Sequence, residues 1–377
     1  MLFRSNALNR RAGTPAATQS VACIERWLAW ALITFLPLAA FAAAPDIAGE
    51  AERWLGENAG GAAIAYVDKV GVTFANVGQF APGDTRPITP DTTFEIGSIS
   101  KVFVALLLVE SEQAGKLRRD DPAAKFLLPA GDPAQAGLAK ITLVSLATHS
   151  AGLPRMASNF RSADGNRAEF TRAQLIEGFR VDGAKAQVGG KSVYSNFGVV
   201  VLGQALATAW GMPYEKLLQE HALDPLGLKH TWLGLRGTSR RGDFPPGLVE
   251  GKPVPHWEFD ALAPSGALRS TARDMALFLQ ACLGLRETAV NASIRECLKP
   301  LRPMGDGPGK IGLNWMSTAG PRPPIYWHNG GTAGFRAFAG FDPAAGVGVA
   351  VLTNSAAVPD PLGMELLGRR AAAPAKK

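Results

Sequence analysis

Charged side chains are scarce in this 377-residue sequence: they make up 19% of it, against 47% for hydrophobic ones. Disordered chains need the opposite balance, so that class of protein is excluded. The length and the apolar content allow a large buried core and rule out a single small module. The composition therefore predicts a globular protein, with room for one large body that carries an insertion.

A continuous basic surface is also lacking, although the formal net charge is +7. Of the 39 basic residues, eight lie in segments 1–26 and 369–377, together with one of the 32 acidic residues. The stretch between them, 27–368, is left with 31 residues of each sign. Such a neutral body offers no positive stripe to a phosphate backbone, so we predict no nucleic-acid partner.

Cysteine is nearly absent, with three residues in the chain, of which Cys282 and Cys297 lie outside the N-terminal segment. Their apolar surroundings are typical of buried free thiols, but in an oxidising compartment the two could pair, and both alternatives stay open. Neither has a histidine nearby at the spacing of a zinc site or of a thiol nucleophile. We therefore predict no metal site and no cysteine chemistry.

One long uncharged run is present, from Trp27 to Ala44, after a lead that contains several arginines. Small residues at its end offer a cleavage site, which is typical of an export signal. An uncleaved membrane anchor is the alternative, since about 18 apolar residues is the lower limit for a span. We predict that residues 1–44 are a signal peptide or membrane anchor, that the protein is periplasmic or secreted, and that it contacts the membrane only through an uncleaved leader.

Strand patterns are confined to the two ends of the remaining chain. Segments 62–67 and 72–77 predict a hairpin, and further strands are predicted at 325–327, 337–341 and 347–353. Helical periodicity occupies Ser98–Gln113 and most of 121–235, and a short helix at 361–370 precedes a basic tail, 371–377.

This pattern predicts an α/β fold of the α+β type. One antiparallel sheet, flanked by helices, is built from both ends of the chain, at about 45–110 and 265–370. An all-helical region is inserted at about 111–264, so that 45–370 forms the main domain.

A serine and a lysine mark the start of the first long predicted helix. Ser98 and Lys101 lie one turn apart on the same helix face, and the helix N-terminus adds positive potential at the serine. A pair at this spacing arises about once by chance in a chain of this length, so alone it is a weak signal. The residues around it are apolar, however, which directs Lys101 into a buried environment where an ammonium needs a partner or a chemical role.

A second polar group is Tyr194-Ser195-Asn196, directly before an apolar helix. Alone it is more consistent with an ordinary N-cap, formed by Ser195 or Asn196, than with a functional site.

A third group, His328-Asn329-Gly330-Gly331, ends an aromatic strand. Glycines there would let a substrate approach the backbone and would expose an amide to a developing oxyanion. Taken alone, a histidine in this position is more often structural.

In this order the three groups resemble the motifs of the serine penicillin-recognising enzymes, in particular the class C β-lactamase and DD-peptidase family. The run 94–101 (Phe-Glu-Ile-Gly-Ser-Ile-Ser-Lys) matches the class C active-site signature at every position. Segments 146–154, 225–231, 268–275 and 311–315 resemble further landmarks in family order. The resemblance covers about residues 45–370.

The resemblance implies Ser98 as the nucleophile, with Lys101 and Tyr194 as the pair that moves the proton. It implies that the backbone amides of Ser98 and Gly331 form an oxyanion hole, and it leaves His149 structural. The substrate-binding residues that it implies are Asn196, His328, Asn329, Gly330 and Gly331.

The sequence departs from the class C pattern at the third motif, where His-Asn-Gly replaces Lys-Thr-Gly. Among the enzymes that the sequence resembles, some DD-carboxypeptidases and D-aminopeptidases have His-x-Gly at this motif, while related esterases often have Trp at its first position. An unperturbed imidazole has a pKa near 6.5, so we expect His328 to give kcat/KM a titration near pH 6–7. Arg336 is one candidate to replace the missing cation.

Together these observations predict an exported serine hydrolase of the class C β-lactamase type, which opens a β-lactam or related amide through a Ser98 acyl-enzyme. No metal or organic cofactor is needed. The alternatives are a D-Ala-D-Ala carboxypeptidase or D-amino-acid peptidase, and a related esterase. An alternative of another class is a non-catalytic wall-binding or penicillin-sensing protein, against which the intact Ser98, Lys101 and Tyr194 count. The expected partner is a small-molecule or peptidoglycan-peptide substrate.

Overall fold

A computed structural model describes residues 46–162, 167, 169–238, 242–299 and 301–368. The predicted leader, 1–44, and the predicted basic tail, 371–377, lie outside these residues. Within the described part of the chain, every helix is too short or too polar to cross a membrane.

The strands are unevenly distributed along the sequence, with a long stretch between the fourth and the fifth in which the described residues contain no strand. They are β1 (Gly61–Asp68), β2 (Gly71–Ala81), β3 (Asp84–Pro87), β4 (Thr93–Glu95), β5 (Trp232–Leu233), β6 (Gly247–Val249), β7 (Lys252–Val254), β8 (Leu268–Thr271), β9 (Arg302–Pro303), β10 (Lys310–Ile311), β11 (Met316–Ser317), β12 (Tyr326–Gly331), β13 (Arg336–Asp342) and β14 (Val347–Thr353).

Most of the helices lie within that stretch. They are α1 (Ile47–Leu55), α2 (Ser100–Gln113), α3 (Ala124–Leu127), α4 (Ala134–Leu138), α5 (Leu143–Ala147), α6 (Arg172–Lys185), α7 (Asn196–Trp210), α8 (Tyr214–Leu218), α9 (Asp224–Leu226), α10 (Ala272–Cys282), α11 (Asn291–Cys297) and α12 (Asp360–Gly368).

A nine-stranded antiparallel sheet joins the two ends of the chain, in the order β3-β2-β1-β14-β13-β12-β11-β10-β9. The N-terminal hairpin meets the C-terminal strands where β1 pairs with β14, with Ile64 opposite Val351. A smaller sheet has the order β4-β8-β5. The predicted fold class, an antiparallel sheet built from both ends and flanked by helices, is confirmed.

Both faces of the central strands are covered. Along β1, Ala63, Ala65 and Val67 belong to the larger core, whereas Ile64 and Tyr66 pack into a smaller core with α1 and α12. Alternation along the strand thus divides one segment between two cores. The larger core continues between the sheet and the helices of the insertion.

The inserted region carries α3 to α9 and also three short strands, β5 to β7. Two or three residues are too few to display the alternation by which a strand is recognised, so the sequence predicts helices alone there. Within this region α7 is buried on nearly every side and packs on α2, whose N-terminal end carries Lys101. Two buried helices therefore meet beside the serine–lysine pair.

The two cysteines of the described residues, Cys282 and Cys297, are free and buried. Burial raises the pKa of both thiols. The structure therefore favours the buried-thiol alternative over the disulfide.

Candidate active site

Ser98 lies in a 3₁₀ turn, Gly97–Ile99, that leads into α2 at Ser100. Gly97 adopts the left-handed φ of +50°, which a glycine accepts without strain. The Ser100 hydroxyl donates to Gly97 O at 2.7 Å and accepts from Leu268 N at 3.0 Å. These contacts tie the turn to β8 and fix the position of the Ser98 side chain.

Lys101 is completely buried, as its apolar sequence context predicts. Its Nζ donates to Ser98 Oγ at 2.8 Å and also to the carbonyl of Ser265. Burial, with a smaller contribution from the nearby charge of Arg155, holds the pKa of Lys101 well below its usual range. A neutral amine is thereby made available next to Ser98.

Tyr194 donates its hydroxyl to the same Ser98 Oγ, at 2.7 Å. Burial raises the pKa of Tyr194 to about 12, against the opposing effects of its hydrogen bond to Ser98 and of Arg155. The phenol is therefore protonated at neutral pH, and Ser98 Oγ lies between a neutral phenol and an amine with a strong tendency to be neutral.

His149 binds the residues directly before and after Tyr194 and also contacts the Tyr194 ring. Val193 N donates to His149 O at 2.8 Å, Ser195 N donates to His149 Nδ1 at 3.3 Å, and the two rings lie 4.7 Å apart. His149 has a φ of +54°, which is uncommon for a residue with a side chain and recurs at functional sites. The resemblance implies a structural role for His149, and the geometry makes that role the positioning of Tyr194.

The third motif lies on β12, which packs directly against the turn that carries Ser98. A Cβ on Gly330 would collide with the carbonyl oxygen of Ile96, and one on Gly97 would lie 2.7 Å from Gly331 N. Glycine at 330 is therefore required by the close approach of the strand to the turn. The backbones of Gly331 and of the Ser98 turn are neighbours, which is the arrangement that an oxyanion hole needs.

His328 is buried, with 1% of its surface exposed, and its Nδ1 donates to Asn329 O at 2.6 Å, because a carbonyl can only accept. Burial, reinforced by the nearby Lys101, lowers the pKa of His328 to about 3. The prediction that His328 titrates near pH 6–7 is therefore wrong for this structure. Its pKa reflects burial, which the local sequence does not reveal.

Asn329 is placed on the opposite face of the sheet from His328, because adjacent residues of a strand alternate. Its side chain donates to Asp360 Oδ1 at 2.6 Å, at the start of α12. This bond directs the Asn329 side chain toward α12, so the predicted role of Asn329 in substrate binding rests on its backbone.

A cavity of about 170 Å³ opens over Ser98. Among the described residues, its lining contains two arginines and no carboxylate; the residues are Ser98, Arg155, Met156, Arg167, Asn196, Trp257, Phe259, Ser265, Gly266, Gly331 and Thr332. Asn196, the first residue of α7, thus faces the cavity as predicted from the resemblance. The described residues contain no group of three or more His, Cys, Asp or Glu side chains placed to hold a metal ion.

Sequence reasoning missed Arg155 and Arg167. The Arg155 guanidinium lies 5.2 Å from the centroid of the Tyr194 ring, and its backbone carbonyl accepts from Asn196 N. Arg336, the suggested replacement cation, instead donates to Thr332 O and Phe335 O. A usable signal for Arg155 was its position directly after the landmark segment 146–154.

Buried histidines make the fold sensitive to acid. Burial lowers the pKa of His149, like that of His328, to about 3, whereas burial raises the pKa of Glu95 to about 7. Between about pH 4.5 and 6.5 the unfolded chain binds two more protons at the histidines, and the folded chain binds one more at Glu95. These three groups alone are therefore expected to lower the free energy of unfolding on acidification by about 1.4 kcal/mol per pH unit, for one net proton. The lowered pKa of Lys101 acts in the same direction.

Urea unfolding at a series of pH values measures this slope. His328→Asn is expected to lower this slope by the contribution of about one proton. The exposed His230 offers a control, since His230→Gln leaves both buried imidazoles in place. A slope that His328→Asn leaves unchanged would contradict the assignment.

Comparison with known proteins gives one consistent result. The family model named Beta-lactamase matches residues 49–373. The chain is 28% identical over 315 residues to the D-alanyl-D-alanine-carboxypeptidase/endopeptidase AmpH of Escherichia coli K12, covering 79% of this chain and 80% of that protein. It is 25% identical over 332 residues to a β-lactamase of Pseudomonas fluorescens, covering 78% and 88%.

Solved structures share the fold. A D-alanine carboxypeptidase AmpC from Burkholderia cenocepacia superposes with a TM-score of 0.71 at 24% identity, covering 87% of this chain and 99% of that one. A β-lactamase/D-alanine carboxypeptidase from Pseudomonas syringae superposes with a TM-score of 0.73 at 22% identity, covering 88% and 98%.

Proposed function

The chain belongs to the β-lactamase family, whose members related to it are serine hydrolases that act on amide bonds, and we propose that it opens a β-lactam or related amide through an acyl-enzyme on Ser98. The observation that carries this proposal is the convergence of Lys101 Nζ and the Tyr194 hydroxyl on Ser98 Oγ, at 2.8 and 2.7 Å. A serine becomes a useful nucleophile when a base can take its proton, and both partners are within reach.

The proton steps follow from the environment of each group. The pKa of Lys101 is lowered, so its neutral amine accepts the proton of Ser98 as Oγ attacks the amide carbon. The Tyr194 hydroxyl, which is protonated at neutral pH, then gives its proton to the leaving amine nitrogen and is reprotonated by Lys101. In the second half water attacks the carbon of the Ser98 ester. The proton of the water passes to Tyr194 as Tyr194 gives its own to Lys101, and Lys101 returns a proton to the departing Ser98 Oγ.

The backbone amides of Ser98 and Gly331 act on the carbonyl oxygen in both halves. Charge develops there in each tetrahedral intermediate, and preorganised N–H donors stabilise it. The close packing of Gly330 against Ile96 supports this role, because it holds β12 beside the Ser98 turn.

A second candidate is cleavage of a D-alanyl-D-alanine-type peptide, the activity named for the AmpH relative. It is favoured by the third motif, His328-Asn329-Gly330, since His-x-Gly in place of Lys-Thr-Gly is the pattern that the resemblance associates with some DD-carboxypeptidases. Arg155 and Arg167 are the positive groups of the cavity lining, and either substrate class carries a carboxylate for them to bind.

Residues 45–377 assayed side by side on nitrocefin, a D-Ala-D-Ala peptide and a nitrophenyl ester test both candidates. A β-lactamase turns nitrocefin over after brief labelling by a fluorescent penicillin, whereas a peptidase labels and holds the label while cleaving the peptide. A protein that neither labels nor turns over any of the three would overturn the proposal and leave a binding role.

We also infer export to the periplasm or the exterior. The support is the uncharged run from Trp27 to Ala44 behind an arginine-bearing lead. Cell fractionation with N-terminal sequencing of the mature protein tests this inference, and a cytoplasmic protein that retains Met1 would contradict it.

A further inference from the structure

Glu95 is a buried carboxylate, three residues before Ser98, for which the proposed chemistry has no use. It lies on β4 directly opposite Arg269 of β8, and the two side chains are 3% and 5% exposed. Arg269 Nη2 lies 3.5 Å from Glu95 Oε1. A buried pair of this kind is costly unless further polar contacts satisfy both partners.

Further contacts of this pair converge on Trp257, one of the residues that line the cavity over Ser98. Trp257 N donates to Glu95 Oε1 at 3.1 Å, and Arg269 Nη2 donates to Trp257 O at 2.8 Å. Both polar backbone groups of Trp257 are thus held by the pair. The guanidinium of Arg167, another lining residue, lies 3.2 Å from the centroid of the Trp257 ring.

We propose that Glu95 is a positioning residue that fixes the side of the substrate cavity formed by Trp257, called the wall below, and that the ionised form of Glu95 does so. This inference rests on the proposed function in one respect, that the cavity binds the substrate. A carboxylate accepts strongly from the Trp257 amide and compensates the charge of Arg269. A carboxylic acid accepts more weakly from the Trp257 amide and no longer offsets the charge of Arg269, so protonation loosens the wall.

Charged and polar groups around Glu95 set the pH of this change. Burial raises its pKa to about 7, against the opposing effects of the Thr332 hydroxyl, the Arg269 charge and the Trp257 amide. Arg167 is a further charged neighbour, and burial lowers its pKa to about 10 against the opposing effect of Glu95. Because the ionised form holds the wall, KM is low above pH 7 and rises about three- to tenfold as the pH falls through 7, with a smaller change in kcat.

KM for the nitrophenyl ester, whose charge is constant, is measured from about pH 5.5 to about pH 8.5. Glu95→Gln keeps the size and an acceptor oxygen but cannot ionise, so its KM is expected to be raised and independent of pH. Asp274→Asn is the matched control, because Asp274 is another buried carboxylate with a raised pKa but binds Thr231 and His230 N away from the cavity lining. It is expected to keep the pH dependence of the wild type.

Trp257 fluorescence supplies a readout that needs no turnover. The difference between the protein and its Trp257→Phe variant is expected to titrate near pH 7, and this titration is lost in Glu95→Gln. A wild-type KM and fluorescence that are both flat across this range overturn the proposal even if Glu95→Gln fails to fold. An unchanged pH dependence in a folded Glu95→Gln overturns it as well. Neither result decides the proposed function, which is tested by whether turnover depends on Ser98.

Discussion

Replacing Ser98 by alanine is expected to abolish both turnover and covalent labelling by a fluorescent penicillin, with the fold retained. Ser98 Oγ is the atom on which the contacts of Lys101 and Tyr194 converge. Without it no acyl-enzyme forms, whatever the substrate. Loss of a nucleophile that works in such a unit lowers kcat on the order of 10⁴ to 10⁶-fold. Labelling on a gel and turnover of the best substrate measure the effect.

Ser265→Ala is the matched control for this variant. It removes another hydroxyl from the same cavity, one that donates to Leu262 O, but keeps the backbone carbonyl that binds Lys101. Covalent labelling is expected to persist. Labelling that survives in Ser98→Ala would show that the penicillin reacts elsewhere and would remove the basis of the proposed mechanism.

Local periodicity was enough to predict most of the fold. The hairpin of β1 and β2, the buried helix α2 and the C-terminal strands β13 and β14 each stand out as an apolar or alternating run of the length of one element. A single sheet built from both ends was predicted because strands occurred only at the two ends of the sequence pattern, whereas the pairing of β1 with β14 within it comes from the structure. Strands β9 to β11 have two residues each, and their place at the sheet edge depends on tertiary pairing that no repeat displays.

The same distinction applies to the site. The spacing of Ser98 and Lys101 and the apolar residues around them predicted a buried Lys101 one turn from Ser98, and the structure places Lys101 in this way. The lowered pKa of His328 and the direction of the Asn329 side chain were not predicted, because both depend on which face of β12 is covered. Arg155 was missed because its contact with Tyr194 joins two loops that are distant in sequence.

Lys101 provides the second large expected effect. Lys101→Ala is expected to slow acylation by Ser98 on the order of 10²- to 10⁴-fold, which is the usual contribution of a positioned base. In the native protein, acylation is expected to increase with pH as the buried ammonium loses its proton. Because the pKa of Lys101 lies well below its usual range, this increase occurs far below pH 10.5. Stopped-flow measurement of penicillin acylation across pH gives both quantities.

Two variants separate the role of a base from a structural role. Lys101→Met keeps an unbranched side chain in the buried site and removes the cost of burying an ammonium, so acylation is lost without a comparable loss in the free energy of unfolding. Lys101→Arg retains donors toward Ser98 but a guanidinium does not deprotonate in proteins, so it is expected not to restore the rate. If Lys101→Arg acylates at nearly the native rate, the group acts through its charge and hydrogen bonds, and Tyr194 alone receives the proton of Ser98.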